Sequence, residues 1–270
     1  MDLLKRSHAP ITPEAWKQID DEAKRVLELN LAGRKLVDFD GPHGWDYAAV
    51  NTGHLAVKTD GALGVPWGVR GVVPLIEIRM PFELRLREID DASRGAVLDL
   101  AAVVAAAEKT AHAEETAIFN GFKAGGIEGI IPSSAHSPIT IPADYADYPS
   151  AVVEAVETLR RGGINGPYAL ALGPSCYAGL NEAAEDGYPI RERVDHFLDG
   201  PMVLAPKVDG AVVLSKRDGD FQLSVGQDLS IGYAGHDRDT VYLYLTESFA
   251  FRVLERAAAV YLKPTSAKKK

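Results

Sequence analysis

The chain has 270 residues, 46% hydrophobic and 25% charged, ordinary values for a folded protein with room for one large domain or two small ones. Twenty-nine Lys plus Arg against 38 Asp plus Glu give a net charge of -9, which excludes a general electrostatic pull toward nucleic acid or anionic membrane. The single cysteine, Cys176, cannot close an intramolecular disulfide. With no secretory h-region and no stretch long and apolar enough to span a bilayer, a cytoplasmic protein is expected.

Residues 1–11 read as an extended arm. Thr12 and Pro13 then open a helix whose apolar stripe is Trp16, Ile19, Ala23, Val26, Leu27 and Leu31, with Gly33 as its stop. Leu29 falls off that stripe, so burial on two faces is expected. Residues 41–70 carry eight glycines or prolines and predict a long β-hairpin loop with Asp60-Gly61 near its tip. From Val72 to Arg87 the pattern is strand, and Pro74 and Pro81 argue for a sheet edge.

The longest helix is expected over 97–122, with an alanine-rich face that lets neighbours approach closely. A Gly/Pro/Ser-rich boundary covers 125–150. Helix 149–161, strand 167–173, helix 174–185, a loop at Asp186–Pro189, helix 190–198 and strands near 201–206 and 210–216 follow. The last third is strands, including Thr240–Leu245 and Ser248–Leu254. Gly219–Tyr233 shows the plainest period-two alternation: Phe221, Leu223, Val225, Leu229, Ile231 and Tyr233 on one face. The other face carries Ser224, Gln227, Asp228, Ser230 and Gly232, a surface for recognition or assembly rather than for bond breaking.

Candidates for chemistry are few. The histidines are scattered without a His-Glu-x-x-His motif. Glu108, His112 and Glu115 share a helical face, but a ferritin-type site needs paired Glu-x-x-His elements, so a solvated or interface polar face is expected. Ser175-Cys176 lies where a strand meets a helix, and the better reading is a Ser N-cap beside a buried thiol. No metal, cofactor or catalytic constellation is predicted. Glu182, Glu185 and Asp186 concentrate carboxylates around a turn that would form an acidic annulus only in a symmetric ring.

The order of short motifs resembles an encapsulin, the nanocompartment shell protein of the linocin-like family. They are Leu4–Ser7 with Ala9-Pro10, Gly33-Arg34-Lys35 with Val37-Asp38, Gly41-Pro42 with Gly44-Trp45, and Pro74–Glu77. Glu88–Asp91 with Arg94-Gly95, Gly166-Pro167-Tyr168, Gly187–Ile190, Gly219–Phe221 and Gly226–Tyr233 complete the set. The resemblance covers residues 2 to 263.

It implies an α+β, HK97 phage-capsid-like fold. Residues 1–40 would be the arm and interior helix, and 41–130 the first part of a peripheral domain with an E-loop at 51–70. Residues 131–214 would be an axial domain, 215–263 the rest of the peripheral domain, and 264–270 a disordered basic tail. The implied function is an icosahedral shell of identical subunits around a cargo enzyme, such as a dye-decolorising peroxidase or a ferritin-like protein. That cargo would be held through its C-terminal targeting peptide.

By the same resemblance Leu27, Leu31, Arg34, Asp38, Asp228, Ile231, Gly232 and Tyr233 form the cargo groove, where Gly232 permits close backbone approach. An Arg34–Asp38 pair would fix register or brace the shell. Glu182, Glu185, Asp186, Gly187 and Tyr188 would line a five-fold pore for small substrates and ions. Arg87 stands where an aromatic residue could support a flavin, so no flavin is expected. The other classes weighed are a phage-type major capsid protein and a hydrolase or bacteriocin.

Overall fold

The computed structural model describes residues 3–59, 64–142, 144, 147–185 and 188–265. The hairpin tip at Asp60-Gly61, the turn residues Asp186 and Gly187, and 266–270 lie outside the described residues. In chain order the elements begin with α1 (Pro13–Asn30), β1 (Asp38–Asp40), β2 (Ala49–Lys58), β3 (Trp67–Pro74), β4 (Ile76–Arg85), α2 (Leu86–Ala92) and α3 (Ala101–Phe119). Next come α4 (Ile130–Ser133), β5 (Ile139–Thr140), α5 (Tyr148–Arg161), β6 (Tyr168–Leu172), α6 (Pro174–Glu182), β7 (Ala184–Glu185) and β8 (Tyr188–Pro189). The last are α7 (Ile190–Asp195), β9 (Asp199–Leu204), β10 (Ala211–Ser215), β11 (Phe221–Val225), β12 (Ser230–His236), β13 (Thr240–Val253) and β14 (Ala259–Lys263).

Local chemistry sets the helix ends. The Thr12 hydroxyl accepts from the Ala15 N–H at 3.3 Å, and Pro13 occupies the first turn, where its missing N–H costs nothing. Helix α1 stops at Leu31, before Gly33. Gly33 instead starts a tight turn through Lys35, pressed so close to α3 that a Cβ on it would stand 2.6 Å from Ile118 Cδ1. Leu29 is exposed, so α1 buries one face only. Helix α3 is shorter than its pattern suggests, because the Asp99 carboxylate accepts the Ala101 N–H at 2.9 Å and Gly121 turns the chain away at positive φ. Helix α6 is capped by Gly173 with Pro174 in the first turn; Ser175 does not cap it.

Two sheets organise the described residues. In the first, β13 is the spine: β4 pairs along one side, β11 and β12 share the other, and β1 adds in parallel to β11. Among the described residues β4 pairs only with β13, the edge position that Pro81 requires, and Pro81 lies opposite Tyr244; Pro74 ends β3 instead. β13 runs unbroken where two strands are expected. Its polar centre is buried: the Thr246 hydroxyl donates to the Ile78 carbonyl at 2.9 Å, and Arg34 holds one oxygen of Glu247 at 2.6 Å.

The second sheet has the order β5-β14-β10-β6-β9. The last strand, Ala259–Lys263, therefore crosses back to pair with β10 rather than staying with its sequence neighbours in the first sheet. β2 and β3 pair only with each other.

Two hydrophobic clusters follow this division. One fills the space around the second sheet, α5, α6 and α7 and reaches Leu223 and Phe249; the other joins α1, α2 and the first half of α3 to β4, β12 and β13. In the second, Ala23 on α1 and Ala107 and Ala111 on α3 are fully covered, which lets α1 lie close on α3.

Candidate functional site

The arm, α1 and the edge of β12 enclose a cleft of about 480 Å³. Leu4, Ala23, Leu27, Leu31, Leu229, Ile231 and Leu245 supply apolar walls, while Arg6, Asp20, Lys24, Glu28, Arg34 and Asp228 ring it with charge. The walls come from the α1 stripe and from one face of β12, so the cleft is the unfilled mouth of the second hydrophobic cluster. The arm is tied down on both sides. Arg6 binds Asp20 with both terminal nitrogens, at 3.0 and 2.6 Å, and lies over the Trp16 ring. The Tyr233 N–H donates to the Leu4 carbonyl at 2.8 Å, so the arm takes part of the open β12 edge.

Of the eight predicted groove residues, Leu27, Leu31, Arg34, Asp228 and Ile231 meet here. Ile231 is 4% exposed, a core residue whose outer edge forms the floor. Asp38 does not join them. It lies on β1, and its Oδ2 accepts the Gly219 N–H at 2.6 Å, which braces the turn before β11. There is accordingly no Arg34–Asp38 pair. Gly232 faces away from the cleft, and a Cβ there would stand 2.3 Å from Tyr244 Cζ, so the close approach it permits is that of an internal ring. Tyr233 holds the arm by its backbone, and its hydroxyl meets His236. Ser224, assigned to an open face, is buried, its hydroxyl donating to Asp40 at 3.0 Å.

Arg34 is the electrostatic centre of the site. Its Nη2 donates to Glu114 at 2.7 Å and to Glu247 at 2.6 Å, and its Nη1 donates to Asp228 at 2.9 Å. Burial opposes the charge on the guanidinium, but Glu114, Glu247 and Asp228 outweigh it and hold Arg34 firmly protonated. Glu115, expected on a solvated face, is fully buried and accepts the Gly33 N–H at 2.6 Å. Burial pushes its carboxyl up to about 8, and raises Glu247 well above the carboxylate range with help from the charge of Glu114.

Sequence reasoning missed Glu114, Glu247 and Leu229. For the two carboxylates the available signal was a Glu set among mostly apolar or small neighbours in Ala111–Phe119 and Leu243–Phe251, since a carboxylate that such a segment buries needs a partner.

Of the predicted pore residues, Glu182, Glu185 and Tyr188 are described and fall together in the chain segment α6–β7–β8, while Asp186 and Gly187 lie outside the described residues. Glu182 is exposed at the end of α6, β7 and β8 pair antiparallel with Glu185 opposite Tyr188, and Tyr188 is strongly exposed. Cys176 is buried, and burial raises its thiol pKa, the reverse of an activated nucleophile. Among the described residues no group of three or more His, Cys, Asp and Glu could hold a metal ion, and no helix is long and apolar enough to cross a membrane.

Comparison with solved structures defines the class. The virus-like particle from Pyrococcus furiosus matches with a TM-score of 0.66 at 17% identity, over 93% of this chain and 100% of that one. The capsid of an empty GTA particle matches at 0.58 and 15%, over 87% and 90%. The fold is therefore the HK97-like capsid fold. A family model described as "Encapsulating protein for peroxidase" matches residues 1–250. The type 1 encapsulin shell protein of Rhodospirillum rubrum is 45% identical over 98% of both chains. The chain belongs to this encapsulin family, whose members are structural shell proteins rather than enzymes.

Proposed function

We propose that the protein is the subunit of a closed icosahedral shell that holds a guest enzyme by docking a short apolar C-terminal segment of the guest in the cleft between α1 and β12. The observation that carries the docking reading is the cleft itself. It is lined by aliphatic side chains, it lies on an open strand edge, and it has Arg34 and Asp228 at its rim to orient a peptide backbone or end. The match to a family of encapsulating proteins for peroxidase supports a peroxidase as guest. Exposed Glu182 at the end of α6 and exposed Tyr188 on β8, with Glu185, Asp186 and Gly187 between them in sequence, support a repeated acidic rim at a symmetry axis, through which small cations would pass.

Ile231 is too deep for a charge there to report on docking alone. Leu229, half-buried at the rim, is the better probe. Native particles bearing Leu229→Asp are expected to assemble normally and to co-purify without their guest, measured by mass spectrometry of the purified particle. Unchanged guest occupancy would remove the cleft from the docking role.

A further inference from the structure

Beneath the cleft, three carboxylates crowd one guanidinium and a fourth is buried beside them. Arg34 serves Glu114 and Glu247, both without exposed surface, and Asp228 at the rim; Glu115, equally buried, lies under Gly33 of the same turn. Lys35 acts on Glu115 through space and favours its ionised form, less strongly than burial opposes it. Lys35 turns its ammonium to the Glu28 carbonyl at 3.0 Å, and on β4 Glu77 and Arg79 pair with each other on the exposed side at 3.2 Å. Arg252, further along β13, donates to Gln222. On α3, His112 is only partly buried, and burial with nearby Lys207 lowers its pKa.

With every carboxyl ionised, buried negative charge would exceed its one close cation. Glu115 Oε2 and Glu247 Oε2 are buried and without a hydrogen-bond partner, so nothing offsets the desolvation of a negative charge on them. An ionised carboxylate can only accept, whereas a protonated one has an O–H to offer, and Glu247 has Glu114 as its neighbour.

We propose that protons on Glu115 and Glu247 latch residues 31–37, and with them the Leu31–Arg34 wall of the cleft, against α3 and β13, so that the wall loosens as pH rises. The use of such a latch, adjusting grip on a guest, rests on the docking reading; its existence does not.

The sign follows from linkage. Both groups titrate higher in the latched form than in an opened one, where they would return to the ordinary carboxylate range. Between that range and about pH 8, the value for Glu115, the latched form binds more protons. Its advantage is complete at low pH and is lost as pH rises through the folded values.

Hydrogen–deuterium exchange of the intact particle at pH 6 and pH 9, corrected for intrinsic exchange rates, tests this without a guest. Protection of residues 31–37 is expected to fall by at least about tenfold in the wild type, since each pH unit between the ordinary carboxylate range and a folded value of about 8 removes about a factor of ten. The isosteric Glu115→Gln/Glu247→Gln variant mimics the protonated pair, and its protection should stay constant. Constant wild-type protection, or an equal loss in the variant, would overturn the latch. Absence of a guest from the same particles would instead count against the docking reading.

Discussion

Gly232 and Arg34 show how single residues constrain this fold. An alanine at 232 would drive its methyl into the Tyr244 ring, a side chain itself 7% exposed and packed against β4 through Arg79. Gly232→Ala should therefore cost about 1–3 kcal/mol through overpacking, read as a lower denaturant midpoint. Arg34→Ala leaves the Glu114 carboxylate buried without its cation, a loss of about 3–5 kcal/mol by the general cost of breaking such a pair. Adding Glu114→Gln to that variant should restore part of the loss, because the orphaned charge is removed with its partner. Additive effects in denaturant titrations of the four proteins would contradict a shared network.

At the scale of elements, the β2–β3 hairpin has no strand neighbour among the described residues, and Val57, Val69 and Val72 are 61, 54 and 50% exposed. A lone two-stranded ribbon is marginal in water, and open apolar edges invite pairing with another chain. Val57→Asp with Val69→Asp should leave subunit folding nearly unchanged, since both sites are at the surface, while blocking assembly. Circular dichroism and light scattering would separate the two effects, and particles of normal size and yield would argue against hairpin-mediated contacts.

Elements were largely legible in the sequence because their signals are local. The Thr12-Pro13 cap, the α1 stripe and the Phe221–Val225 alternation each act within a few residues. The charged centre was not legible, because Arg34, Glu114, Asp228 and Glu247 meet only after α3 and β13 have packed. Asp38 shows the opposite error: four residues from Arg34, it is carried to the turn before β11 by the parallel pairing of β1. The join between Thr240–Leu245 and Ser248–Leu254 was hidden for the same reason, since Thr246 and Glu247 look like a turn until their partners are known.

For the molecule as a whole, the two sheets leave three features unspent within one subunit: the β2–β3 hairpin, the open cleft, and the exposed Glu182 at the end of α6 with exposed Tyr188 on β8. A shell of copies gives each a use, which a monomer does not. If the proposed acidic rim lines an axial pore, replacing Glu182, Glu185 and Asp186 by their amides should slow cation entry while particle size stays constant, measured as metal uptake by loaded particles. Equal uptake rates would exclude that role.

The central claim is that copies of this chain close on one another. Sedimentation velocity of the purified protein near neutral pH, across a range of concentrations, tests it most directly. The account predicts a single fast, megadalton-scale boundary that electron microscopy resolves as hollow spheres. A stable subunit-sized boundary at high concentration would contradict it.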